Sequence, residues 1–160
     1  MVALGGAERK TSLRNIVISL SGVDIKGDFK ENFSTRLAFQ KTMYLLQMAG
    51  VIREKHSFNY YAHGPYSPEW AKIGYEVANG GEKMITLTGD EGVVGGLMRM
   101  KPSDGGWLVA LATLHYYAVA LHLSKEEARE RAEVDGKFAV LKHFEEAWQS
   151  LESVKFFRVS

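Results

Sequence analysis

The residues of this chain best suited to chemistry sit in one short stretch, Phe58 to Pro68, read FNYYAHGPYSP. Tyr61, His63, Tyr66 and Ser67 bring stacking and hydrogen-bonding groups to a backbone that Gly64, Pro65 and Pro68 constrain. Loops held by rigid elements are where binding residues concentrate, so these four form the expected partner-binding rim. A turn shaped by Gly-Pro with packed tyrosines is the competing, purely structural expectation. A second polar set, Arg36, Gln40 and Gln47 with Lys41 beside it, forms a narrow stripe on an otherwise apolar helix. Arg36, Gln40 and Lys41 suit phosphates and base edges, which makes them the expected nucleic-acid contacts; a solvated helix face is the plainer reading.

Reactive constellations are missing from the sequence pattern. There is no cysteine, no G-x-S-x-G elbow and no H-E-x-x-H pair, so no catalytic residue is expected. His115 and His122 lie seven apart, roughly 10 Å along a helix axis, too far to share one ion unaided; His56, His63 and His143 are scattered. Neither a metal nor a cofactor is expected. The glycine-rich Gly89 to Gly96, GDEGVVGG, lacks the Lys and hydroxyl residue of a phosphate loop and reads as a flexible connection.

Several elements must position these groups. Leu13, Ile16, Val17 and Leu20 predict a short amphipathic helix ending near Gly22, with a loop to Asn32. Ser34 is the expected cap of a helix reaching Ala49, with Phe33 stapling its entry. Phe58 to Tyr61 predicts a strand, Ser67-Pro68-Glu69 starts a helix that stops at Asn79-Gly80-Gly81, and Glu82 to Thr88 predicts a second strand able to pair with the first. Gly105 to Ser124 runs twenty residues without a formal charge, but Thr113, His115 and His122 interrupt it and no cluster of cations flanks it. A buried central helix capped by Asp104 and reaching Leu123 is therefore expected rather than a membrane span. Ser124 then caps a helix dense in both charges through Glu133, and Lys137 to Phe156 carries a last helix.

Composition bounds the rest. With 160 residues, 46% of them hydrophobic, the chain can bury one core. Residues 1–12 read as a loose terminus and 13–160 as a single domain, with a winged-helix-like part over 33–100 and a helical part over 104–157. The net charge of +1 gives no general pull toward polyanions, although residues 1–61 hold nine Lys/Arg against five Asp/Glu. The absence of cysteine fits a reducing cytoplasm. The tail KFFRVS is expected to dock on the core or on a second copy, so a homodimer is one expected assembly.

The order of helix, strand, helix, strand predicts a mostly helical α+β protein with a winged-helix-like centre, a small β-sheet and C-terminal helices. Four segments, QKTMYLLQMAGV (Gln40 to Val51), YYAHGPYSPE (Tyr60 to Glu69), ITLTGDEG (Ile85 to Gly92) and LVALATLHYY (Leu108 to Tyr117), together resemble a group of prokaryotic proteins that includes the antitoxin SocA-like Panacea domains. That family shows a Lys-x-x-Tyr-Leu helix, a Tyr-Gly-Pro loop and an Ala-Thr-x-x-Tyr helix; here His63 stands before Gly-Pro, and an N-terminal helix is added. The resemblance implies a winged-helix-related scaffold that neutralises a partner protein or contacts nucleic acid, and it implies no catalytic residue. Two functional expectations follow: a non-catalytic DNA-binding regulator, or an antitoxin-type module that binds a protein.

Overall fold

The computed structural model describes residues 8–101 and 105–156. Two helices organise it. Helix α3 (Phe33–Met48) and helix α6 (Gly105–Val119) pack on each other, and the other elements are laid around them. In α6 every residue from position 109 to 115 is buried, so the helix is enclosed on all sides, the placement its all-round apolar sequence predicts. Its 15 residues are too few to cross a bilayer, and among the described residues no helix is long and apolar enough to do so.

The chain begins with strand β1 (Arg9–Ser12) and helix α1 (Leu13–Ser21), whose Leu13, Ile16, Val17 and Leu20 face the core. Ser12 caps α1 by accepting from Asn15, and Gly22 ends it with φ 74°. The expected loop then contains a one-turn helix α2 (Ile25–Asp28), capped by Asp24, because Ile25 and Phe29 at a spacing of four both bury. Asn32 rather than Ser34 caps α3, accepting from Thr35, which puts Phe33 in the first turn, half exposed, instead of stapled to it. Asn caps as well as Ser does, so position alone decided between them.

A hairpin of β2 (Asn59–Tyr61) and β3 (Gly64–Tyr66) leads into α4 (Pro68–Ala78), whose N-cap Ser67 accepts from Trp70. Strand β4 (Met84–Leu87) does not pair with β2. It pairs antiparallel with β1, Arg9 opposite Leu87 and Ser12 opposite Met84. The expected single sheet is thus two separate two-stranded sheets, so the winged-helix strand pairing is corrected. So is the loose terminus for Arg9–Ser12; Met1 to Ala7 lie outside the described residues. The reason is burial: Ile85, Thr86 and Leu87 need a cover and a ladder partner, and β1, which leads directly into the packed helix α1, is held beside them.

The glycine-rich segment forms helix α5 (Gly92–Met98) rather than a flexible link, since Val94, Leu97 and Met98 bury and outweigh the helix penalty of its glycines. The expected cap Asp104 lies outside the described residues, and α6 ends at Val119, not Leu123. Ser124 and Glu127 form a reciprocal capping box at the start of α7 (Lys125–Val134). The expected last helix is two, α8 (Phe138–Lys142) and α9 (Phe144–Ser153), which meet at His143 and pack on α6. Phe156 docks back on the core, its ring 4.9 Å from that of His115. The result is a mostly helical α+β fold with small antiparallel sheets and C-terminal helices.

Candidate functional site

The polar stripe of α3 points inward, against both expectations for it. Gln40 is 2% exposed and Lys41 1%, so neither is placed to meet a phosphate or a base. Each α3 side chain instead holds the backbone of a loop. Gln40 Nε2 donates to the Ser67 carbonyl while its Oε1 accepts from the Ser67 N–H, both at 2.9 Å. Lys41 Nζ donates to the Pro65 carbonyl at 2.8 Å. Gln47 makes the same two-sided contact with His56 and also accepts from Trp70 Nε1. Arg36 Nη1 reaches the carbonyls of Phe29 and Lys30 at 3.0 and 2.8 Å. Loops pressed onto a core need partners for their backbone groups, and this helix supplies them.

The hairpin is gripped from the other side as well. Along β2 the side chains alternate: Asn59 and Tyr61 are exposed and Tyr60 turns in, stacking on Tyr116 with centroids 5.8 Å apart. The Tyr60 hydroxyl donates to Asp135 at 2.8 Å and pairs with the Tyr117 hydroxyl at 2.7 Å; burial and these bonds push its pKa far above the ordinary tyrosine value. Lys137 donates to the carbonyls of Tyr61 and Ala62. Gly64 has φ 93° and no room for a side chain, because a Cβ would run into Thr113 Oγ1.

Between α2, α3, the hairpin and α4 these elements leave a cavity of about 340 Å³. Its walls include Phe29, Leu37 and Ala71, and its mouth carries four rings that are large, apolar and exposed: Phe33, Tyr61, Tyr66 and Tyr75. Both sets of residues singled out in the sequence arrive here. Arg36, Gln40 and Lys41 line one side and Tyr61, His63 and Tyr66 the other; Gln47, which holds His56, and Ser67, buried as the cap of α4, are absent. Tyr61 meets Tyr66 edge-on at 5.3 Å and His63 meets Phe33 at 5.1 Å.

Lys41 dominates the electrostatics. Burial, aided by repulsion from Lys137, lowers its pKa from 10.5 to about 7. Among the described residues no carboxylate forms an ion pair with it, and none lines the cavity. His63 is likewise depressed, by burial first and then by Lys41 and Lys137. Close by, the fully buried hydroxyl of Thr113 has no hydrogen-bond partner. Lys41, Gly64-Pro65 and Thr113 come from three separate segments of the chain, and the fold brings them together.

Elsewhere the buried polar groups knit the core. Tyr44 Oη lies 2.7 Å from His115 Nδ1, and His115 Nε2 lies 3.1 Å from the Phe156 carbonyl. A carbonyl only accepts, so Nε2 carries the proton and Nδ1 accepts from the Tyr44 hydroxyl. Among the described residues no cluster of His, Asp and Glu is placed to hold a metal ion. Comparison of the chain with protein-family models, with curated proteins and with solved structures finds no match.

Phe33, Tyr75 and Phe29 are the site residues that reading the sequence missed. Phe33 looked like a staple and Tyr75 and Phe29 were not singled out, and only the tertiary arrangement brings them to the cavity beside the hairpin.

Proposed function

We propose that this protein is a non-catalytic binding module whose target is another protein, held at the aromatic mouth formed by Phe33, Tyr61, Tyr66 and Tyr75. The observation that carries this reading is the exposure of these four rings around one concave opening: Phe33 is 51% exposed, Tyr61 47%, Tyr75 39% and Tyr66 37%. Rings clustered over a cavity and anchored on a rigid base are what a protein interface uses as hot spots. The base here is rigid because Gln40, Lys41 and Lys137 hold the hairpin backbone from both sides. This is the antitoxin-type role that the family resemblance implies. The nucleic-acid alternative loses support, since Gln40 and Lys41 are enclosed and the Arg36 guanidinium is engaged with two carbonyls.

The test is co-purification with the product of the reading frame next to the gene, using wild type and the double variant His63→Ala, Tyr66→Ala. A hot-spot role predicts that the variant melts nearly as wild type does and loses more than about 2 kcal/mol of affinity. If the variant melts at a markedly lower temperature and binds normally whenever folded, the hairpin is a packing device. Binding of random duplex DNA is measured in parallel. A steep loss of affinity between about 50 and 200 mM salt would favour the nucleic-acid reading.

A further inference from the structure

The cavity beneath the aromatic mouth has properties that a protein-binding rim does not require. Its volume of about 340 Å³ falls within the roughly 300–1,000 Å³ of small-molecule sites. Its surface is mostly apolar, from Phe29, Leu37, Ala71 and the mouth tyrosines, yet Lys41 and Arg36 stand on one wall. A lysine ammonium carries three donors, and the Pro65 carbonyl occupies one of those on Lys41. The position a Cβ of Gly64 would take is 3.6 Å from Lys41 Nζ and against Thr113 Oγ1, so the partnerless hydroxyl of Thr113 lies near Lys41 next to Gly64, outside the cavity lining. A buried cation without a counter-ion is expensive, and an anion entering the cavity would offset that cost by stabilising the charged form of Lys41.

From this juxtaposition we infer that the cavity is a binding site for a small organic monocarboxylate with an aromatic or aliphatic body. The carboxylate pairs with Lys41 Nζ, with Arg36 as the second cation, and the body lies against Phe29, Tyr61, Tyr66 and Tyr75. A carboxylate fits better than a phosphate: the wall offers two cations, one of them already engaged with backbone carbonyls, and the remaining surface is apolar. The inference goes beyond the protein-partner reading and stands apart from it, because its probes and variants act inside the cavity and need no partner protein.

The experiment titrates the purified chain with 3-phenylpropionate and octanoate, followed by calorimetry or by tyrosine ring resonances, against 3-phenylpropionamide and octylamine as uncharged and cationic controls. Binding of an acid with a Kd of about 1 mM or tighter, at least about tenfold stronger than the amide, is the expected result. Lys41→Met should erase the preference for the acid, and Ala71→Trp, which places a large ring in the cavity, should abolish binding of acid and amide alike. Circular dichroism confirms that each variant folds; should Lys41→Met fail to do so, Arg36→Gln must lower the affinity for the acid while leaving that for the amide in place.

Proton linkage adds a signature that a merely apolar pocket lacks. The charged and titratable groups facing Lys41 are Arg36 from its own helix, Tyr61, His63 and Tyr66 from the hairpin, Tyr75 from α4 and Lys137 at the entry to α8. Of these, His63 titrates below its ordinary 6.5, lowered by burial and then by Lys41 and Lys137. Affinity for the acid should therefore be level just below pH 7 and weaken by up to about tenfold per pH unit above it, while that for the amide stays flat. Equal binding of acid and amide, stronger binding of the amine, acid binding that survives both cavity variants, or no binding of either acid at about 10 mM would each overturn the assignment.

Discussion

Replacing Lys41 by Met should make this protein more stable at neutral pH and less stable in mild alkali. In the unfolded chain the amine keeps its proton until about its ordinary 10.5, whereas in the fold burial lowers that value to about 7. Between these limits the unfolded state binds more protons, so the stability of the wild type rises with pH across the window and the contribution is lost again as pH falls through it. Each pKa unit corresponds to about 1.36 kcal/mol, and a separation of some three to four units therefore amounts to about 5 kcal/mol between pH 7 and the upper end. Lys41 is 1% exposed, so solvent screening removes little of this. Met has a similar length and no charge to bury. Against that gain, the Pro65 carbonyl loses its donor, a penalty of about 1–3 kcal/mol. Lys41→Met should then be more stable than wild type by about 2–4 kcal/mol at pH 7 and less stable by about 1–3 kcal/mol near pH 10.5.

Urea unfolding at pH 7, 8, 9 and 10 measures both curves, and the difference between them removes the titration of every group not coupled to Lys41. The wild type should gain up to about 1.4 kcal/mol per pH unit relative to the variant. Parallel curves would refute the reasoning, because they would mean that Lys41 reaches water and titrates normally. A variant destabilised at every pH would place the weight on the Pro65 contact rather than on the buried charge.

The remaining expectations are more local. Leu111 is fully buried in α6, and Leu111→Asp should lower stability by several kcal/mol in chemical denaturation, since no partner for the new charge is at hand. The His115 pKa is pushed by burial from 6.5 to about 4, opposed by the Phe156 carbonyl, so stability should hold above pH 6.5 and fall by about 3 kcal/mol between there and pH 4. A flat unfolding profile over that range would show that His115 is not enclosed. Gly64→Ala should destabilise strongly, because φ 93° disfavours a side chain and Thr113 fills the space one would need; a thermal melt unchanged from wild type would contradict the close approach. Tyr60→Phe removes a hydroxyl shared between Tyr117 and Asp135 and should lower stability by about 1–2 kcal/mol in the same assay.

How far the sequence could be read follows from which forces are local. The caps at Ser67 and Ser124, the inward face of α1 and the enclosure of α6 were legible, because each depends on residues a few positions apart. Strand pairing was not. RKTS at β1 carries no hydrophobic alternation and forms a strand only because β4 offers it an edge. The polar stripe misled for a related reason. Polar residues at spacings of four and seven look the same whether water or a backbone carbonyl satisfies them, and the carbonyls of Pro65 and Ser67 come from more than twenty residues away. The rim was legible as a set of residues, but its partnership with Phe33, Tyr75 and the α3 stripe was visible only in three dimensions.

That partnership explains why a lysine, rather than a leucine or methionine, stands where α3 faces the hairpin. Gln40 and Gln47 show that a neutral amide can hold a loop backbone at two points without a charge. Lys41 makes a single bond to one carbonyl and carries several kcal/mol of burial penalty while doing so. Fastening the hairpin therefore does not account for the choice. Its position does, at the wall of a cavity with apolar sides, no lining carboxylate among the described residues, and a second cation, Arg36, five residues earlier on the same helix. Groups whose ionisation is pushed this far by a fold concentrate at functional sites. An amine held near pH 7 can switch charge within the physiological range, and a carboxylate entering the cavity would fix it in the charged form. The stability gained by Lys41→Met and the loss of acid binding in the same variant would then be two measurements of one buried charge.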